Sequence, residues 1–343
     1  MGNRDIDAVI IATPDHWHCL QMVDAVSAGK HVYIEKPISN SISEAKWMVD
    51  AANYHKTVVQ VGQWQRSGKH WADAIDYVHS GALGQIRTVK AWAYMDWLKS
   101  IPVRPDTKVP SGVDYDMWLG PAPDRPFNTN RFHFTFRWFW DYAGGLMTDW
   151  GVHLLDVVLW GMNATTPNRI VSSGGNFAYP NSAMETPDTQ QAIFEFPDFT
   201  MIWEHANGIG LGPYQRSHGI AFIGNNGTLI VDRGGWEVLP EIENEQGVKK
   251  SKVEPVERQS AKTGETGLVQ HTSNFVNAIR ENEKLNCDIN VGSLAAINAH
   301  MGNIALKTKS SLVWNAEAEN FGCNDAANDS MTPEYRSPWN API

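Results

Sequence analysis

Two stretches decide how this chain folds: Asp7-Ala8-Val9-Ile10-Ile11-Ala12-Thr13-Pro14 and Ala28-Gly29-Lys30-His31-Val32-Tyr33-Ile34-Glu35-Lys36-Pro37. Each holds a short, continuous apolar run closed by polar or turn-forming residues, the pattern of a strand buried on both faces of a parallel sheet. Between them, residues 16–28 set Trp17, Leu20, Val23 and then Ser27 at three- and four-residue spacing, one face of a helix that Gly29 stops. Ser39 to Lys56 repeats the pattern, with Ser41 or Ser43 as cap and Ala45, Met48, Val49 and Ala52 inward. A third strand over 57–61 and a helix over 68–80, closed by Gly81-Ala82-Leu83-Gly84, complete an alternation that predicts a doubly wound parallel sheet. Such sheets bind ligands beyond their strands' carboxyl ends, which is where Lys36 stands.

Beyond Gln85 the strands lengthen and alternate: Ile86 to Tyr94, Gln190 to Phe196, Thr200 to His205, His218 to Ile223 and Gly227 to Asp232. Asn225-Asn226-Gly227 reads as a hairpin turn tolerant of positive φ, which favours antiparallel pairing. Helical segments at Thr148 to Gly161, Val269 to Glu283 and Ser293 to Lys307 would cover one sheet face. The expected organisation is a partial dinucleotide-binding domain over 1–84, then an α+β substrate-binding and oligomerisation domain over 85–343 with a mostly antiparallel, open-faced sheet. Pro102 to Pro126 is too long for a simple connector, and the polar tail from Asn315 onward is expected to wrap the surface or stay partly disordered.

The chain's 343 residues carry a formal net charge of -10, which excludes a nucleic-acid groove or an anionic membrane surface. No run approaches a membrane span, and charged residues interrupt the N-terminus too early for a signal peptide, so as written the chain reads as cytoplasmic. An upstream segment, if one is missing, would leave room for an export signal. Three widely spaced cysteines (Cys19, Cys287, Cys323) support neither a disulfide framework nor a zinc motif and read as buried thiols. Fifteen tryptophans serve core, interface or sugar-stacking platforms.

Asp149-Trp150-Gly151-Val152-His153 sets a carboxylate and an imidazole four residues apart, on one face of a helix. A histidine flanked by an acid and facing a lysine from the other domain can take a proton from a hydroxyl. Alone, the pair reads equally as a helix N-terminal acid and a core histidine. Trp64, Gln65 and Arg66 follow the third strand and read as substrate contacts or structural donors. Arg131, His133, Arg137 and Trp138 form an aromatic and basic cluster, read as substrate wall or as subunit contact. His16 and His18 have no third metal ligand at suitable spacing, so no metal is expected.

Taken together, these motifs resemble the glucose-fructose oxidoreductase / inositol dehydrogenase (Gfo/Idh/MocA) family. The matching stretches are Asp7 to Pro14, Asp15 to His18, Ala28 to Pro37, Val59 to Arg66, Ser80 to Gly84 and Gly144 to Asp156. Trp118-Leu119-Gly120-Pro121 and the run Phe132 to Trp140 resemble a bacterial branch of it that often carries export signals. The resemblance implies a partial Rossmann-type domain and NAD or NADP as cofactor. It implies that Lys36 contacts the nicotinamide ribose and the substrate hydroxyl, that His153 accepts the proton, and that Asp149 orients substrate or tunes the histidine. Thr13, Pro14 and His16 would line the nicotinamide half, with Glu35 beside it or purely structural. Trp64, Arg66, Arg131, His133 and Trp138 would meet a carbohydrate-like substrate, and the second domain's sheet would pair into a dimer or tetramer.

One departure stands out: no strand with a glycine-rich turn, which would hold the cofactor pyrophosphate, precedes Ala8. The string Gly208-Ile209-Gly210-Leu211-Gly212 leads into Pro213 and reads as a loop. The leading expectation is therefore a sugar or cyclitol oxidoreductase whose cofactor binding is impaired by N-terminal truncation. The alternatives are an NAD-dependent oxidation-elimination glycosidase of the same family and a non-catalytic sugar-binding protein.

Overall fold

The computed structural model describes residues 2–262, 264 and 266–342. A three-stranded parallel sheet opens the chain: β1 (Ala8–Ile11), β2 (His31–Ile34) and β3 (Val59–Val61), in that order, in register from Ala8↔His31 and Val32↔Val59. The crossovers are α1 (Asp15–Ser27) and α2 (Ile42–His55), and α3 (Lys69–His79) leads out. α1 is rotated relative to the expected face. Cys19, Met22, Ala25 and Val26 point inward, while Trp17, Leu20 and Val23 are only half-buried and Ser27 is exposed. The small residues let α1 sit close to β2 and α2, where a bulkier face would hold it off. α2 starts with a side-chain cap: the Ser41 hydroxyl accepts from Glu44 N, and the Glu44 carboxylate accepts from the N–H of Asn40, just before the cap.

The larger sheet has nine strands. They are β4 (Ile86–Met95), β5 (Arg169–Gly175), β6 (Thr189–Glu195), β7 (Thr200–Asn207), β8 (His218–Gly224), β9 (Gly227–Asp232), β10 (Gly235–Pro240), β13 (Val256–Ser260) and β14 (Leu312–Val313). Their order is β13-β10-β9-β8-β4-β7-β6-β5-β14, antiparallel except between β4 and β7. β11 (Ile242–Glu245) and β12 (Val248–Ser251) form a separate hairpin. Short helix α4 (Tyr115–Leu119) lies in the 102–126 loop. The helices α5 (Gly145–Asp149), α6 (Gly151–Met162) and α8 (Ile289–Thr308) pack on one sheet face, with α7 (Leu268–Glu281) and α9 (Asp325–Asp329) outside it.

Helix α8 belongs to both sheets. Ile289 and Ala296 join Val61 and Ile34 in the core around the parallel strands, while Ala295, Ala299 and Met301 join the larger core. A Cβ on Gly292 would come within 2.5 Å of Val61, so glycine sets this approach.

Several expectations are corrected in detail. The helix expected over 148–161 is two helices broken at Trp150. The 225–227 hairpin joins β8 and β9 antiparallel, but none of its residues has positive φ; the left-handed positions are Gly81 and Gly84 in the turn on which it docks, through Asn226 to Ala82 and Leu83. Cys19 and Cys287 are buried, whereas Cys323 is exposed. The 208–212 string is a loop between β7 and a 3-10 turn, as read. The tail wraps back on the chain, burying Phe321, Ala327 and Met331 and hydrogen-bonding Tyr335 Oη to Glu44. Among the described residues no helix is long and apolar enough to cross a membrane.

Candidate active site

Lys36 leaves the carboxyl end of β2 and Asp149 ends α5, yet Lys36 Nζ lies 2.9 Å from both the Asp149 carboxylate and its backbone carbonyl. The contact lies at the helix break, where Asp149 O accepts from Lys36 and the His153 N–H bonds Trp150 O. An ammonium at a helix C-terminus also answers the negative end of the dipole. Arg137 adds a longer contact to Asp149 at 3.4 Å. Burial alone would raise the Asp149 pKa, but the Lys36 and Arg137 charges prevail and hold it below its ordinary value.

His153, 5% exposed, sits beyond the break against the rings of Trp64 and Trp150. Neither ring nitrogen has a hydrogen-bond partner among the described residues, and Nδ1 is enclosed. Burial, then the charges of Lys36 and Arg233, keep it neutral well below its ordinary range. His153 thus presents a neutral imidazole, without a partner, one helical turn along the chain from the Asp149 that holds Lys36.

The other expected residues divide. Glu35 accepts from Lys36 N and packs under Gly62. Thr13 donates to Gln21, and Pro14 caps α1. His16 is taken up elsewhere: its Nε2 meets Trp118 O at 3.0 Å in a cage of Trp118 and Tyr142, and burial lowers it to about 4. Arg66 grips Asp156 through Nε at 2.8 and 2.9 Å and rests over Trp160, a structural pairing. Arg131 serves Asp106 and Pro126 O in the long loop. His133 is exposed against Phe132, and Trp138, 1% exposed, is core. Trp64 alone of that group borders His153. No cluster of potential metal ligands occurs among the described residues.

Three residues at the site were given no cofactor or substrate role in the sequence reading. Asp15, in the first turn of α1, is pushed up to about 7, mainly by burial, within the field of Arg137, Asp149 and Lys36. His18 brackets the strand ends, with ring nitrogens 2.7 Å from Pro37 O and 2.8 Å from Thr13 O. Arg233 lies over the rings of both Trp64 and Trp150. Asp15 and His18 were visible in the Asp15 to His18 motif; Arg233 sits in a hairpin turn with no spacing signal.

The residues fit the nicotinamide end of a dinucleotide. Thr13, Pro14, Glu35 and Lys36 gather at the carboxyl ends of two adjacent parallel strands, with Lys36 turned toward the second sheet's helices. No glycine-rich turn joins a parallel strand to a helix among the described residues.

Residues 1–63 match the profile of the oxidoreductase family NAD-binding Rossmann fold, and residues 79–176 match that family's C-terminal alpha/beta domain. A levoglucosan dehydrogenase of Pseudarthrobacter phenanthrenivorans is 37% identical over 97 residues, 28% of this chain and 25% of that protein. The rhizopine catabolism protein MocA of Rhizobium meliloti is 25% identical over 195 residues, 57% of this chain and 50% of that one. The matched stretches thus span a quarter to a half of these relatives. A solved levoglucosan dehydrogenase, in complex with NADH and levoglucosan, superposes with a TM-score of 0.67 at 18% identity, covering 91% of this chain and 81% of that one, a likeness of fold. The chain belongs to the Gfo/Idh/MocA family of NAD-binding oxidoreductases.

Proposed function

We propose that this chain transfers a hydride between a nicotinamide cofactor and a hydroxyl-bearing carbon of a sugar or cyclitol. The observation that carries the reading is the meeting of Lys36 with Asp149 beside an unpartnered His153, three groups from segments more than a hundred residues apart. An ammonium has three N–H donors, and Lys36 gives two of its directions to Asp149. The third is available to a substrate hydroxyl, where its charge lowers the hydroxyl's pKa. His153 takes the hydroxyl proton, and Asp149 fixes Lys36 for this work. Thr13, Pro14, Glu35 and Lys36 would hold the nicotinamide half of NAD or NADP, which supplies the hydride acceptor or donor when bound. Trp64 would form the wall on which a sugar ring stacks.

The test is turnover of sugars and cyclitols with NAD+ and NADP+, followed by NADH or NADPH absorbance. His153→Ala and Lys36→Met should each lower turnover about 100-fold or more. Unchanged turnover in either removes that assignment. Release of an aglycone without net NADH formation would identify the oxidation-elimination reading instead. The uncovered face of the larger sheet, with Ile193 43% exposed, supports a homo-oligomer, which light scattering would read as a dimer or tetramer mass.

A further inference from the structure

The rings beside His153 carry a cation with no carboxylate within salt-bridge distance, although it feels the charge of Asp149. Arg233 lies 4.9 Å from the Trp64 ring centroid and 4.4 Å from that of Trp150, the two rings that also flank His153. Its Nε is buried without a hydrogen-bond partner. Every other arginine that is not exposed has a carboxylate within salt-bridge distance: Arg66, Arg125, Arg131, Arg137, Arg216 and Arg336. Among the described residues Arg233 has none. Burying a guanidinium without a carboxylate is costly, and the two aromatic faces offset only part of that cost.

Around it the field is positive. Lys36, Arg137 and Arg233 surround the single low-pKa carboxylate of Asp149, while burial holds His153 and His218 neutral and Asp15 close to half-protonated near pH 7. This concentration of positive charge occurs in a chain of net charge -10, so it is local. His218 completes the wall: its ring centroid lies 4.9 Å from that of Trp150, and its Nε2 is also buried without a partner. Two enclosed donors or acceptors therefore stand unanswered beside the rings that flank the proposed proton acceptor. A guanidinium fork stacked on aromatic faces is preorganised to take both oxygens of a carboxylate.

We infer that the sugar oxidised at Lys36 and His153 carries a carboxylate, a uronic or aldonic acid, which Arg233 binds from the Trp64–Trp150 wall. This deepens the proposed function and rests on it. The hydride leaves the substrate's carbinol carbon and the proton its hydroxyl, so the carboxylate is a handle that the reaction leaves unchanged.

Matched pairs test the inference: D-glucuronate against D-glucose and D-galacturonate against D-galactose. Binding is read by isothermal titration calorimetry, and turnover with NAD+ by absorbance. The acid of a pair should bind about 10- to 100-fold more tightly than its neutral partner, with a preference that weakens in salt. Arg233→Gln should erase the preference and leave NADH affinity unchanged, while Arg233→Lys should restore part of it. Equal binding within both pairs, or no binding of either acid, overturns the inference, and neither result needs a variant that folds. Loss of NADH affinity rather than acid affinity in Arg233→Gln assigns the guanidinium to a cofactor phosphate and overturns it as well. Because binding is read without hydride transfer, acids that bind but are not oxidised would uphold the site while refuting the redox reading.

Discussion

Mild acid should unfold this protein, because its fold buries many neutral imidazoles. Leaving aside His18, whose ring nitrogens both meet carbonyl oxygens, His16, His205, His218 and His300 are each lowered by burial to about 4, against 6.5 in an unfolded chain. A depressed histidine pKa contributes stability that is present above pH 6.5 and is lost as the pH falls toward the folded value. Near pH 5.5 each of these rings is neutral in the fold and mostly protonated when unfolded, so unfolding takes up roughly one proton per ring. Asp15 and Glu44, pushed up to about 7 by burial, run the other way and each release about one proton. The net uptake of about two protons makes the unfolding free energy fall by roughly 3 kcal/mol per pH unit near pH 5.5. A stability at the low end of the typical range of about 5–15 kcal/mol would be exhausted between the unfolded and folded histidine values. Urea denaturation at fixed ionic strength, followed from pH 7.5 down to 5 by fluorescence and circular dichroism, reads the slope directly. His300→Gln, which can keep the bond to Ser39 O, should reduce the slope by about one proton, or roughly 1.4 kcal/mol per unit. A urea midpoint that holds constant or rises as the pH drops from 7 to 5 would refute the reasoning.

Arg66→Gln leaves Asp156, 1% exposed, as a buried carboxylate without its cation, and should cost about 3 kcal/mol of stability while changing KM less than twofold. A large rise in KM with unchanged stability would return Arg66 to the substrate. Gly292→Ala forces a methyl to 2.5 Å from Val61 and should destabilise by about 1–3 kcal/mol, seen as a lower Tm. An unchanged Tm would mean that α8 is not held against β3 as described. Asp149→Asn keeps the side chain's shape but removes the charge that Lys36 and Arg137 share, and should cut turnover more than it raises KM; a pure KM effect would make Asp149 a substrate contact.

The sequence made the elements legible where a local rule decides them. Periodicity and punctuation were enough for the parallel strands, the Ser41 cap of α2 and the long strands beyond Gln85. The local rule failed on α1, because a two-sided helix leaves the inward face to be chosen by its neighbours, and small residues won over Trp17 and Leu20. The helix break at Trp150 carries no proline to mark it, and the side chain that meets it is a lysine 113 residues upstream. Lys36, Asp149 and His153 were found together because strand end and helix spacing mark each of them. Arg66, Arg131 and Trp138 have structural partners that the sequence could not name, because a polar or aromatic residue near a cleft says nothing about whether Asp156, Asp106 or the core engages it. Arg233 had no mark at all, since its meaning comes only from the absence of a carboxylate around it.

The break between α5 and α6 couples the two halves of the site. An uninterrupted helix would satisfy Asp149 O with His153 N and leave Lys36 an ammonium with only a side-chain partner. At the break the Asp149 carbonyl accepts from Lys36 and the His153 N–H bonds Trp150 O, so Lys36 and His153 are held on adjacent carbonyls of the same turn. The separation between the two sheets is not left to a hinge either, because α8 packs into both cores and Asp288, its cap, bridges to Gln60 on β3. In the proposed reaction, binding would place a substrate hydroxyl between this ammonium and the imidazole, and Trp64, Trp150 and Arg233 would orient the rest of that molecule.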